Sequence, residues 1–201
     1  MKKKILETAR SQFIQFGFKS VTMDDIATSL SISKKTIYEH FANKTELVDA
    51  CVEFVFHEMT LMVNGILEKE DNPIVGLFEV KKIALEHMAN TSRSPQFQLQ
   101  KYYPEIYAKL KKSELKTMGK GFKKSLEQGI AMGLFRSSID VNFITRLYFN
   151  GIRGLRNPEL FPADEYESNQ LLENYLDYHL RAIATTKGVS VLEKYNTEKS
   201  I

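Results

Sequence analysis

The chain has 201 residues, of which 43% are hydrophobic, 11% aromatic and 26% charged, with a net charge of +3 and one cysteine. That supplies a sizeable core and a well-charged surface; the lone cysteine excludes an intramolecular disulfide framework and a multi-cysteine zinc site. No apolar run approaches the ~18–20 residues of a membrane span, and so small a net charge does not by itself argue for nucleic acid.

Taken in order, the elements read as helices almost throughout. The start, MKKKILETARSQF, is basic, but Glu7, Arg10 and Gln12 interrupt any signal-type apolar stretch, so a cytoplasmic protein is expected. Residues 3–16 place Ile5, Ala9, Phe13 and Phe16 at helical spacing, and Gly17 supplies a stop. Thr22 can cap a second helix, with Asp24 and Asp25 in its first turn and Ile26, Ala27 and Leu30 on its inner face. Ser31-Ile32-Ser33 makes a turn, and Ser33 can cap a short helix over residues 34–41.

Asn43, with Glu46 three residues on, is a capping-box start for a long helix to about Glu68. It contains Cys51, whose apolar neighbours Val48, Val52 and Val55 mark a buried structural thiol. Asn72-Pro73 opens a helix to about Ala89, and residues 90–95 break the chain. Residues 96–111 form an aromatic-rich helix that Pro104 kinks or divides, followed by a helix over 113–132. After a turn at 137–140, two further helices cover about 141–156 and 165–186, and the polar stretch after Gly188 is expected to fray. No alternating strand pattern and no internal repeat occurs, so the fold class is all-α.

The segment 22–47, TMDDIATSLSISKKTIYEHFANKTEL, carries the chemistry. On its second helix Ile37 and Phe41 point one way, towards a small core with Ile26, Leu30 and Phe13. Lys35, Tyr38 and Glu39 point the other way, Thr36 lies to one side, and Lys34 and His40 flank the apolar stripe. A helix of this size fits a major groove about 12 Å wide. Lysine can reach guanine acceptors or phosphate, Thr36 a phosphate or a thymine methyl, and Tyr38 offers a hydroxyl on a rigid ring. Lys44 combines its charge with the free N–H groups of a helix start, and Thr22 stands at another. Glu39 would be repelled by phosphate and suits solvent or a cytosine amino group. Lys34 and Lys35 alone read as a merely solvated face, as most exposed lysines do; the helix-turn-helix spacing, the short second helix and Tyr38-x-His40-Phe41 before a capped basic start together reverse that and favour DNA.

Residues 5–48 resemble the DNA-binding domain of the TetR family of bacterial transcriptional regulators. The matching pattern is Ala9, Phe13, Gly17, Thr22, Ile26, Ala27, Ser33, Thr36, Ile37, Tyr38, His40, Phe41, Lys44 and Leu47. Lys35 stands where the family often has a small residue, and Ile32 where it has valine. The resemblance implies a three-helix DNA-binding domain over 1–47 and a larger helical bundle for effector binding and dimerisation over 48–187, leaving 188–201 as a polar tail. The expected DNA contacts are Thr22, Ser33, Lys34, Lys35, Thr36, Tyr38, His40 and Lys44.

The resemblance further implies a homodimer on a roughly palindromic operator, joined through the last two long helices. Candidate stripes there are Ile144, Leu147, Gly151 and Leu155, and Leu172, Leu176, His179 and Ile183. Periodicity alone suits packing within one chain at least as well. An effector pocket is implied among Phe78, His87, Met88, Phe97, Tyr102, Tyr103, Tyr107, Met118 and Phe122, a set rich in methionine and aromatics. Each of these taken singly also suits plain core. The expected function is a repressor released from its operator by a small, largely apolar ligand. The alternatives are an activator or ligand-independent regulator on the same scaffold, or a helical protein-interaction module. The histidines at 40, 57, 87 and 179 have no HExxH pair, phosphate loop or nucleophile elbow beside them, so neither an enzyme nor a metal or cofactor is expected.

Overall fold

The local signals at helix ends decide the architecture. A computed structural model of the chain describes residues 1–89, 94–155, 157, 159–162 and 164–198, without the side chains at 84, 86–89, 94–96 and 198. Ten helices lie among the described residues: α1 Lys2–Phe16, α2 Met23–Ser29, α3 Lys34–Tyr38, α4 Lys44–Lys69, α5 Pro73–Ala89, α6 Ser94–Tyr102, α7 Pro104–Ala131, α8 Val141–Gly154, α9 Ser168–Ile183 and α10 Thr186–Glu198. They contain no strand, and a single isolated bridge pairs Phe135 with Ala184. The fold is all-α.

The chain divides into two compact units. One is Met1–Thr60 with Asn90–Ser113, the other Leu61–Ala89 with Glu114–Ile201. The boundary expected at 47 therefore falls inside α4, and α6 with the start of α7 joins the helix-turn-helix segment.

In the first unit, Ile5, Ala9 and Phe13 of α1 meet Ile26, Ala27, Ile37, Phe41, Leu47, Val48 and Cys51, joined by Leu99 and Ile106. Each of the larger apolar side chains among them, the valine, leucines, isoleucines and phenylalanines, contributes about 1.5–3 kcal/mol on full burial. Gly17 ends α1 at φ 83, a backbone conformation that favours glycine. The Gln98 carboxamide occupies the space where a Cβ of residue 17 would project and accepts the Lys19 N–H at 3.0 Å. The Cys51 thiol is pushed up to about 12 by burial, which makes it an inert core group.

α4 is long and apolar enough to cross a membrane by length and composition alone. This departs from the expectation that no such run occurs. Lys109 holds its Asp49 at 2.9 Å and Glu53 at 2.5 Å, and Arg10 holds Glu58 at 2.5 Å, so its first half is a core helix of the first unit.

The second unit is built round Ile74, Leu77, Phe78, Phe122, Leu126, Leu134, Phe135, Leu176, Leu180, Ile183 and Leu192. Two expectations are corrected by these elements. The stretch 188–198, expected to be a frayed tail, belongs to α10: Leu192 is fully buried, and Tyr195 stacks on Phe78 at 4.5 Å and donates to Glu79 at 2.8 Å. Gly188, Val191, Leu192 and Tyr195 form a helical face that the polar residues between them hide from a composition-weighted reading. Of the two readings left open for Pro104, division holds: it takes the first position of α7, where its missing N–H costs nothing. The helix then runs unbroken through the break expected near 112.

Candidate nucleic-acid interface

α2, α3 and the start of α4 are set by three caps. The Thr22 hydroxyl accepts from the Asp25 N–H at 3.2 Å, and Asp25 Oδ2 accepts from the Thr22 N–H at 2.7 Å and hydroxyl at 2.8 Å. These bonds, the backbone one foremost, hold the Asp25 carboxyl below the usual carboxylate range. Ser33 Oγ accepts from the Thr36 N–H at 3.1 Å and lies 2.9 Å from the Thr36 hydroxyl. Asn43 Oδ1 accepts from the Glu46 N–H at 2.9 Å, and Glu46 accepts from the Ala42 N–H at 2.7 Å. Ser31, at φ 53, makes the left-handed residue of the turn.

The caps fix which side chains face outward. Ile37 and Phe41 are fully buried and anchor α3. Lys35, Tyr38 and Glu39 are exposed, Tyr38 at 45% despite its size. Lys34 is placed otherwise than its sequence position suggests: its ammonium pairs with Asp24 at 2.7 Å, which raises its pKa. Thr22 and Ser33 spend their hydroxyls first on capping. Lys44 is half-buried, which lowers its pKa against the pull of Asp25, and its ammonium donates to the Lys19 carbonyl at 3.4 Å. A cation outside the expected set of contacts, Lys2, stands over the Phe41 ring at 5.2 Å.

The other two candidate sets do not assemble as expected. Of the pocket residues, Phe78 and Phe122 are buried in the second core and Met118 is half-buried on α7. Tyr103 and Tyr107 pack on the first core, while Phe97 and Tyr102 are exposed at 54% and 41%. Lys19 and Lys101 lie over the Tyr102 ring. The side chains of His87 and Met88 lie outside the described residues. Aromatic periodicity marks inward faces without saying which core receives them: Tyr103, just before α7, and Tyr107, in its first turn, go to the first core, while the α6 aromatics Phe97 and Tyr102 stay exposed.

Of the dimer residues, Leu172, Leu176, His179 and Ile183 are buried in the chain's own core, and Ile144 and Leu155 are half-buried. Gly151 serves contact between α8 and α9: the Tyr175 hydroxyl occupies the place of its missing Cβ and donates to the Leu147 and Tyr148 carbonyls at 3.2 and 3.1 Å. Only Leu147 of the two stripes is exposed, at 45%. The apolar surface on these helices continues instead through Phe143 at 60% on α8 and Tyr178 at 71% on α9. Phe143 and Leu147 border a groove of about 370 Å³ lined also by Leu115, Arg146, Phe149, Asn150 and Arg153. The His179 imidazole, packed against the rings of Tyr148 and Tyr175 at 5.2 and 5.7 Å, has no partner for Nε2 among the described residues. Burial lowers its pKa to about 4.

Comparison with known proteins places this geometry. Residues 5–51 match the family model described as bacterial regulatory proteins, tetR family. Over 146 residues, 71% of this chain and 73% of the relative, the chain is 28% identical to the HTH-type transcriptional repressor KstR2 of Mycobacterium tuberculosis. It is 42% identical to the HTH-type transcriptional regulator YhgD of Bacillus subtilis over 67 residues, 33% of this chain and 35% of that one. A solved TetR-family regulator from Agrobacterium tumefaciens superposes with a TM-score of 0.72 at 18% identity, over 92% of this chain and 97% of that one. At that identity the likeness speaks for the fold.

Proposed function

Since the chain belongs to the TetR family of bacterial transcriptional regulators and is not an enzyme, we propose that it is a cytoplasmic homodimeric repressor of a roughly palindromic operator, released by a small, largely apolar ligand. The observation that carries the DNA-binding part is α3 itself: a one-and-a-half-turn helix pinned by Ile37 and Phe41, with Lys35, Tyr38 and Glu39 exposed on its other side. In this reading Tyr38 and Lys35 face base edges, Thr36, Ser33 and His40 face the backbone, and Lys44 and Thr22 sit at helix starts that favour phosphate. Lys34 contributes through its pair with Asp24, which steadies α2 against α3.

Two copies are needed because one short helix reads only a few base pairs; a dimer sets two half-sites a helical turn or its multiple apart. The exposed Phe143, Leu147 and Tyr178 support α8 and α9 as the surfaces that meet. Release would follow if a ligand binds better to a state with wrongly spaced recognition helices; α4, which starts at Lys44 and runs into the second unit's sequence, is the covalent link.

Fluorescence anisotropy with labelled duplex, run across a salt series, tests the DNA-binding reading. Binding should weaken steeply with salt through counterion release, and Tyr38→Ala should weaken operator binding at least tenfold while the protein still dimerises. Operator affinity equal in the parent and Tyr38→Ala would remove α3 as the reading helix.

A further inference from the structure

The first turn of α1 carries charge that the packing of the helix does not explain. Lys2, Lys3 and Lys4 are consecutive and exposed. The turn holds no acidic residue, and Met1 provides no side-chain cap, so three cations repel one another and oppose the positive end of the helix. Glu7 answers one of them, 3.8 Å from Lys3 Nζ, but both groups are mostly in water, where such a pair is weak. As a feature of α1 alone, the cluster is unfavourable.

Its position suggests what it serves. The Lys2 ammonium stands 5.2 Å from the centroid of the Phe41 ring, and Phe41 lies three residues beyond Tyr38, its N–H bonded to the Ile37 carbonyl at 3.0 Å. Lys2 is thereby held at the end of the helix proposed to enter the groove. Successive helix positions fan out by about 100°, so Lys3 and Lys4 spread charge round the same turn. The first unit thus carries cations at the end of α3 as well as on it, at Lys35, and beside it, at Lys44.

We propose that Lys2, Lys3 and Lys4 form a second phosphate-binding set, which extends the DNA interface from α3 along the backbone of the same duplex. This rests on the DNA-binding reading of α2 and α3. Lysine suits such a role, being a hydrated point charge on a flexible stem that neutralises phosphate without demanding geometry. The set adds affinity and salt sensitivity and leaves sequence preference to α3.

The test is titration of the full chain onto a mixed-sequence duplex of about 40 base pairs over a series of salt concentrations. Lys3→Gln with Lys4→Gln keeps the Lys2–Phe41 contact; a triple glutamine variant removes it, and a triple arginine variant keeps the charge. Each phosphate contact contributes roughly 0.9 to the slope of log affinity against log salt, so the glutamine variants should lower the slope by about 2 or more and the arginine variant should retain it. Unchanged slopes in both glutamine variants would overturn the inference, as would a loss that arginine does not restore. Lys44→Ala on the same duplex, and Tyr38→Ala on the operator, run alongside separate the two claims. If they weaken binding while the glutamine variants do not, only the inference about α1 falls. If the parent chain binds no duplex, the DNA-binding reading falls with it.

Discussion

Lys44 stands at the start of α4 with its ammonium partly withdrawn from water and donating to the Lys19 carbonyl. That tether fixes the Lys44 charge beside the loop that follows α1, and the start of a helix favours an anion such as phosphate. Lys44→Ala should therefore weaken binding to all duplexes alike and reduce the salt slope by roughly one phosphate contact, read from the same anisotropy series. His179 makes a different prediction. Its folded pKa, about 4, lies below the unfolded value of 6.5, so the unfolded chain takes up the proton first as pH falls. The stability this gives is present above pH 6.5 and is lost down to about pH 4, by on the order of 3 kcal/mol. Urea midpoints across that range should fall in the parent and stay flatter in His179→Phe. At this scale the sequence is a good guide to identity and a poorer one to orientation: nothing in the spacing of Lys34 says that it turns to Asp24.

Among the elements, α8 and α9 meet through the missing side chain of Gly151. Gly151→Ala would gain helix propensity, about 1 kcal/mol, but would displace the Tyr175 ring and break its bonds to two carbonyls. Overpacking of this kind costs about 1–3 kcal/mol, so thermal denaturation should show no gain and a net loss of up to about 2 kcal/mol. α10 is equally integral. Leu192→Ala removes a fully buried side chain from the second core and should cost about 2–5 kcal/mol, measurable by urea unfolding; a frayed tail would cost nothing. Helix starts are legible because Thr22, Ser33 and Asn43 carry their caps in the sequence. α10 is obscured because its apolar face is narrow and its partner, Phe78, lies more than a hundred residues away.

For the whole molecule, the fold class and the helix-turn-helix are readable because both rest on local spacing. Which apolar face meets which neighbour is not, because periodicity finds such a face without naming what covers it. Leu172, Leu176, His179 and Ile183 face inward, and the exposed apolar side chains of α8 and α9, the surface proposed for a second copy, are Phe143, Leu147 and Tyr178. Phe143→Glu with Leu147→Glu should leave the fold intact, since both side chains are exposed, and convert the proposed dimer to a monomer in sedimentation with a loss of operator affinity of at least tenfold. A variant that remains dimeric would move the interface elsewhere. The most direct test of the central claim is selection of bound sequences from random DNA by the full chain. The expected result is an inverted repeat whose half-sites lie about one helical turn, or a multiple of it, apart, with Tyr38→Ala failing to enrich it. Enrichment of no sequence, or of a single unrepeated site equally well bound by Tyr38→Ala, would contradict it.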